Sequence, residues 1–380
     1  MKLGTTDFRG ERLREGREAR GLTALALASI LGVTRAAISQ YEKNIQSPRP
    51  EVMDRVCECL RLPLRFFLRE PTKHNGTIYW RSQSSATKLA RQAVERRLGW
   101  IQELTSHLRE FVDLPAPNFP DLNLPADPLR LTDHDIEAVA MAVREYWGLD
   151  DEPIQNGVLI LENNGVLISR DDLYVASLDG LSRWSVEDGT PYCLIASGKN
   201  SAARSRMDLY HELGHIVLHR HLDQRYLVNP LIHKIIEQQA YRFAGAFALP
   251  EQSFASDIYS LSLDAFVRLK GTWHVSIGMM IKRCETLALV NEEQSKKLWI
   301  GMAAKGWRTE EPLDNELPIE TPQLFSKSIS ILRQQGLEPG DYLTSALALP
   351  ALDIEQMAGL PEGALSARRE PSPILQFKRR

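Results

Sequence analysis

The five residues His211-Glu212-Leu213-Gly214-His215 constrain this chain more than any other feature. Two histidines four positions apart converge on one point only if the backbone is helical, with about 3.6 residues per turn. Both imidazoles can then ligate one metal ion. Glu212, beside the first histidine, is turned aside and left for proton transfer. A helix is therefore predicted through this segment, with Ile216, Val217 and Leu218 as its buried face. Gly214 permits the close approach of another element.

A catalytic zinc ion needs a third protein ligand and one open position. His221 lies ten residues after His211, but Leu218 stands where that spacing needs a glycine turn. An unbroken helix would carry His221 about 15 Å along the axis, out of reach. Glu237 lies 22 residues after His215, on a second helix expected from about Ile232 to Ala248 and stopped by Pro250. A carboxylate from a following helix is the gluzincin arrangement, and Glu237 is preferred to His221. Next to these residues, His219 continues the face of His215, Tyr241 follows Glu237 by one turn, and Asp208 precedes His211 by one turn. They are candidates for supporting hydrogen bonds or transition-state contacts. His233 reads as a surface residue, and Tyr210 as a bulky neighbour that could narrow the site.

At 380 residues the chain is long enough for several domains. Five prolines between Asp113 and Pro128 mark a linker. Residues 1–110 hold 20 Lys/Arg against 12 Asp/Glu, and the remainder 26 against 37, so a basic head precedes an acidic body. No signal peptide or membrane span is read, and the four cysteines form no CxxC pair, which points to buried thiols in a reducing cytoplasm. Residues 78–113 read as one or two long basic helices. Thr132 is an N-cap for a helix through Tyr146, and Asn163-Asn164-Gly165 ends the next one. Strands are expected at Val166–Ser169, Leu178–Trp184 and Tyr192–Ala196. The last is read as an edge strand that, with loop 197–206, takes up a peptide by strand addition. Residues 367–380 read as a frayed basic tail.

Near the N-terminus Thr23 and Thr34 cap two short helices separated by Gly32. The second helix shows Arg35, Ala36, Ser39, Gln40, Lys43 and Asn44 on its solvent face. An arginine and an amide there can pair with guanine and adenine edges. The string Gly-Leu-Thr…Leu-Ala…Leu-Gly-Val-Thr…Ile-Ser-x-Tyr-Glu resembles the Xre/Cro repressor family across residues 9–68. The resemblance places Arg35, Ala36 and Gln40 at bases and Ser39, Lys43 and Asn44 near phosphates. One departure is Ala24, where the family often has a glutamine phosphate clamp.

Arg204-x-Arg206-Met207-Asp208-Leu209-Tyr210 before the histidine motif, with Glu237-x-x-Ala240-x-x-Phe243-Ala244…Leu249-Pro250 after it, resembles the ImmA/IrrE metallopeptidase family over roughly 130–255. Tyr210 and Gln239 depart from its pattern. The resemblance implies one zinc ion held by His211, His215 and Glu237, with Glu212 as general base. The implied fold is α+β. It comprises an all-α helix-turn-helix domain (1–70), a helical connector and proline-rich linker (71–130), a gluzincin-like zinc peptidase domain with helices on a small sheet (131–255), and a mostly helical C-terminal region (256–380). The expected protein is a cytoplasmic zinc endopeptidase with a double-stranded DNA operator as one partner. Its substrate would be a repressor or antitoxin in a stress, mobile-element or toxin–antitoxin setting, with a toxin as a further partner and homodimer formation left open. The alternative is a DNA-binding regulator or antitoxin whose zinc domain binds a partner or signal without proteolysis.

Overall fold

The computed structural model describes residues 4–72, 76–80, 87–171, 180–198, 201–222, 226–227 and 229–366. The expectations for Leu178, residues 199–200 and the tail 367–380 lie outside the described residues. The chain divides into two compact units, one of Met1–Thr72, Glu95–Val112 and Phe325–Arg380, the other of Lys73–Val94 and Asp113–Leu324.

In the first unit α1 (Gly10–Ala19), α2 (Ala24–Leu31), α3 (Arg35–Glu42) and α4 (Pro50–Leu60) close over Leu13, Leu31, Ile38, Val56 and Leu60, all buried. The Thr23 and Thr34 hydroxyls accept from the amides of Ala26 and Ala37, at 3.0 and 3.1 Å, and start α2 and α3. Gly32, at φ +61°, ends α2 in the left-handed region, and the axis turns by 113° into α3. Arg17 clamps Glu42 through two parallel hydrogen bonds of 2.5 and 3.1 Å and ties α1 to the end of α3.

The part of α5 (Lys88–Leu108) from Glu95 onward belongs to this unit, where Trp100 is buried and donates to Glu15 at 2.7 Å. So do α14 (Leu324–Gln334, from Phe325), α15 (Pro339–Leu347) and α16 (Ala351–Ala358). Asp353 of α16 is 4% exposed and accepts from Arg20 at 2.7 and 2.6 Å and from Arg97 at 3.5 Å. The last described helices are thus part of the helix-turn-helix unit's own core.

The second unit carries a four-stranded sheet of order β1-β3-β4-β2, made of β1 (Ile78–Trp80), β2 (Leu167–Asp171), β3 (Gly180–Trp184) and β4 (Pro191–Ala196). β3 is antiparallel to both β1 and β4, and β2 runs parallel to β4. Two expectations change here. Residues 78–80 form a strand, because Ile-Tyr-Trp is strand-favouring and pairs Tyr79 with Ser182, so the helix is confined to 88–108. The strand at Tyr192–Ala196 is interior, paired on both sides, and has no free edge to receive a peptide.

Around this sheet stand α6 (Asp133–Tyr146), α7 (Gly157–Asn163), α8 (Ala202–Leu218), α9 (Pro230–Ala248), α10 (Glu251–Asp257), α11 (Leu263–Trp273), α12 (Ile277–Thr286) and α13 (Glu292–Ala304). Helix α8 lies against β3 and β4, and α9 packs on both α8 and α6. Thr132 and Asp135 form a reciprocal capping box at the start of α6. The proline-rich stretch is extended but fastened down. Asn118 donates to Asn164 O at 3.0 Å and accepts from the Trp147 indole at 2.7 Å, while Phe119 packs between Trp147 and Trp184. Gly165 sits at φ +81°, where a Cβ would lie 2.4 Å from Ala116 O, so only glycine fits beneath this strap. Among the described residues no single helix is long and apolar enough to cross a membrane.

Replacing Asp353 with alanine leaves two guanidinium groups facing a void, a change expected to cost about 3–5 kcal/mol. Urea unfolding of the full chain measures it. A loss below about 1 kcal/mol, the scale of an exposed pair, would show that α16 is not integral to the unit.

Candidate metal centre and nucleic-acid interface

His211 and His215 are fully buried on α8, and Glu237 of α9 faces them with a side chain 15% exposed. What brings them together is the crossing of the two helices. A Cβ on Gly214 would lie 3.0 Å from Ala240 O and 3.1 Å from Ala240 Cα, so the glycine lets α9 approach backbone to backbone. Ala240 follows Glu237 by three residues, which sets the carboxylate against the histidines.

The donor atoms lie close together, with each Glu237 carboxylate oxygen against a different histidine. His211 Nε2 and His215 Nε2 are 3.1 Å apart, and Glu237 Oε2 and Oε1 lie 3.3 and 3.2 Å from them. Ligands at ~2.0–2.2 Å around a tetrahedral zinc ion stand roughly 3.3–3.5 Å from one another, so these donors fit such an ion. Among the described residues they form the one cluster of three or more candidate metal donors.

Hydrogen bonds behind His215 settle its tautomer. Gln239 donates its amide NH2 to Pro128 O at 2.7 Å, which turns its own oxygen toward His219 Nε2 at 3.1 Å. A carbonyl cannot donate, so the orientation is fixed, and His219 Nε2 must carry the proton. His219 Nδ1 is then an acceptor, and His215 Nδ1, 3.0 Å away, donates to it. The lone pair of His215 Nε2 is left facing the cluster. Burial first, and then His215, hold the His219 pKa well below its ordinary value, in keeping with a neutral link. The proline-rich strap thus ends at Pro128 in a contact that orients a metal-facing histidine.

Tyr79 of β1 stacks on His215 with ring centroids 5.0 Å apart and planes at 12°, and its hydroxyl donates to the His219 carbonyl. Burial pushes the Tyr79 phenol well above its usual range, so it stays a donor. Sequence reasoning missed this residue, which lies 132 positions before His211 and carries no local signal. His233 was read as a surface residue, yet its Nε2 stands 3.8 Å from Glu237 Oε1 with a side chain 14% exposed. Its position one turn before Glu237 was the available clue.

The other candidates divide by face. Tyr241 is 44% exposed with its ring centroid 4.4 Å from that of His211, and it flanks the open side of the cluster. Glu212 is wholly buried, and a Cβ on Gly180 of β3 would sit 3.4 Å from its carboxylate. Asp208 is buried one turn before His211 and lines a cavity beside α8. Tyr210 does not narrow the site: it is buried against Phe247, at 5.1 Å, and Gly157. His221 lies beyond the end of α8, accepts from Arg220 at 2.9 Å and is no part of the cluster. Arg206 pairs with Glu320.

On α3, Arg35, Ala36 and Lys43 are exposed, and Ser39 and Gln40 are half-buried. Arg35 has the first helical position, where the unpaired amides of the helix N-terminus also favour an anion. Asn44 is exposed but spoken for. Its oxygen accepts from the Gly10 amide at 2.6 Å and its NH2 donates to Glu11 at 2.7 Å, so it anchors α1 and offers little to a phosphate.

If the Gln239–His219–His215 chain sets the metal-facing tautomer, Gln239→Leu should weaken zinc affinity by about 10–100-fold. Competition with a chromogenic chelator reads this directly. Unchanged affinity in a folded variant would remove the chain from the account.

Two family models match the sequence, Helix-turn-helix over residues 13–67 and IrrE N-terminal-like domain over residues 161–285. No curated protein matches the chain. The second match spans the donors His211, His215 and Glu237 together with Glu212, and the first spans all of α2 and α3. One chain therefore joins a segment similar to the helix-turn-helix model to a segment similar to the IrrE N-terminal-like domain.

Proposed function

We propose that this protein is a cytoplasmic zinc endopeptidase that cuts a regulatory protein, a repressor or antitoxin, and is brought to DNA by its helix-turn-helix. The observation that carries the reading is the triangle of His211, His215 and Glu237 donors, with the Glu212 carboxylate on the same helix. A zinc ion held there supplies Lewis acidity toward the scissile carbonyl and lowers the pKa of an attacking water. Glu212 takes the proton of that water and returns it to the departing amine nitrogen. Its burial against β3 keeps the carboxylate away from competing solvent. Tyr241, exposed beside His211, is the group available to donate a hydrogen bond to the oxyanion. Tyr79 and the His219–Gln239 chain hold His215 in place while substrate binds and leaves.

On the DNA side, Arg35 is the base-reading candidate and Lys43 a phosphate contact, with Ser39 and Gln40 between them. Stress, mobile-element or toxin–antitoxin settings are where a repressor or antitoxin would need such selective removal. A toxin partner and a homodimer belong to the same proposal.

The test compares wild type with Glu212→Gln on the proteins encoded by neighbouring genes. The variant should keep its zinc and lose cleavage by about 10²–10⁴-fold, the usual contribution of a general base. Zinc-loaded wild type that binds its operator but leaves every one of these proteins intact would make the chain a non-proteolytic regulator. Independently, Arg35→Ala should cost about 1–3 kcal/mol of operator binding and relax sequence preference. Undiminished, equally selective binding in a mobility-shift titration would remove Arg35 from the interface.

A further inference from the structure

Beside the metal cluster lies a cavity of about 1140 Å³, walled by α8, α9, α12, α13 and the segment that follows α13. It is slightly larger than the roughly 300–1,000 Å³ usual for a small-molecule site. Its apolar wall includes Met279, Met302, Trp299 and Trp307, and Tyr241 forms the wall nearest His211.

The charge around this cavity does not cancel. Arg242 is met by Asp133 at 2.8 Å, Arg283 by Glu137 at 2.7 and 2.8 Å, and Lys282 by Glu285 at 2.8 Å. The lining carboxylate of Glu311 is satisfied by Lys270 at 2.9 Å and by two backbone amides at the start of α12. Arg204 and Arg308 remain, with one further lining carboxylate, the buried Asp208, on the same helix as Arg204. Arg204 donates to the backbone oxygen of Arg308 at 3.2 Å, and among the described residues neither guanidinium has a carboxylate partner. Two such forks beside tryptophan and methionine side chains suit an aromatic or long apolar group that carries a carboxylate.

Every lining residue comes from a helix or a loop and none from a strand. An extended peptide would find no backbone ladder to join, which favours a small ligand over a polypeptide. We propose that this cavity binds a small aromatic or long-chain carboxylate, anchored by Arg204 and Arg308, with its apolar part against Trp299, Met279 and Met302. The ligand would touch α8 through Met207 and α9 through Tyr241, the two helices that carry the metal donors.

Isothermal titration of the full chain with indole-3-acetate, 2-naphthoate and decanoate tests the site, with indole-3-acetamide as the uncharged twin of the first. At least one carboxylate should bind with one-to-one stoichiometry. Indole-3-acetate should bind about tenfold more tightly than the acetamide, the effect of one charge-assisted hydrogen bond. Arg204→Ala with Arg308→Ala should erase that preference, and Met279→Trp should fill the space and abolish binding of both. Arg308→Glu alone, at an exposed position, serves if the double variant does not fold. Failure of all three carboxylates to bind at millimolar concentration would overturn the proposal. A charge preference unaffected by the arginine variants would do the same, as would displacement of the probe by an acidic peptide that itself binds more tightly.

Discussion

The contact on which the second unit depends is the backbone approach of α8 and α9 at Gly214 and Ala240. A methyl group at Gly214 would press on a carbonyl and a Cα that belong to the opposing helix, with no flexible side chain to yield. The two imidazole nitrogens and the two Glu237 oxygens stand 3.1–3.3 Å from their neighbours in the candidate cluster only because the helices cross this closely. Separating them by a few tenths of an ångström would widen every edge that involves Glu237, and metal sites tolerate only about half an ångström of misplacement. The glycine inside the histidine motif therefore helps set the spacing of the candidate donors.

From that crossing the supports spread outward in layers. Tyr79 covers the face of His215, His219 accepts a hydrogen bond from its Nδ1, and Gln239 fixes His219 through a carbonyl at the end of the strap. A glutamine suits this position because one end must accept and the other donate. A carboxylate there would set an acceptor against the Pro128 oxygen. Pro128, His219 and Gln239, from three separate stretches of sequence, thus set which nitrogen of one imidazole faces the candidate cluster.

The sequence made part of this legible. Helical geometry put His211 and His215 on one face, and the caps at Thr23, Thr34 and Thr132 act locally, so α2, α3 and α6 begin where their side chains say they should. Glu237 was reachable because a following helix at that separation can fold back as a hairpin. What stayed hidden depends on distant partners. Ile78-Tyr79-Trp80 is a strand only because β3 stands ready to pair with it, and β4 is interior because β2 pairs parallel to it on the side away from β3. The strap looks like a linker by its prolines, yet its contacts with Asn164, Trp147 and Trp184 cannot be inferred from its own residues. Asn44 carries a polar side chain on the expected face, but a neighbouring helix had already claimed it.

The division of the chain has a bearing on how it is made. The helix-turn-helix unit takes its first segment from the N-terminus and its last from residues 325 onward, with Asp353 as the partner of both Arg20 and Arg97. During synthesis, which proceeds from the N-terminus at about 5–20 residues per second, this head waits for its final helices until the whole second unit has emerged. For that interval of tens of seconds Arg20 and Arg97 have no counter-ion from α16. A chain ended before residue 353 would carry the complete histidine motif while Arg20 lacks the Asp353 carboxylate.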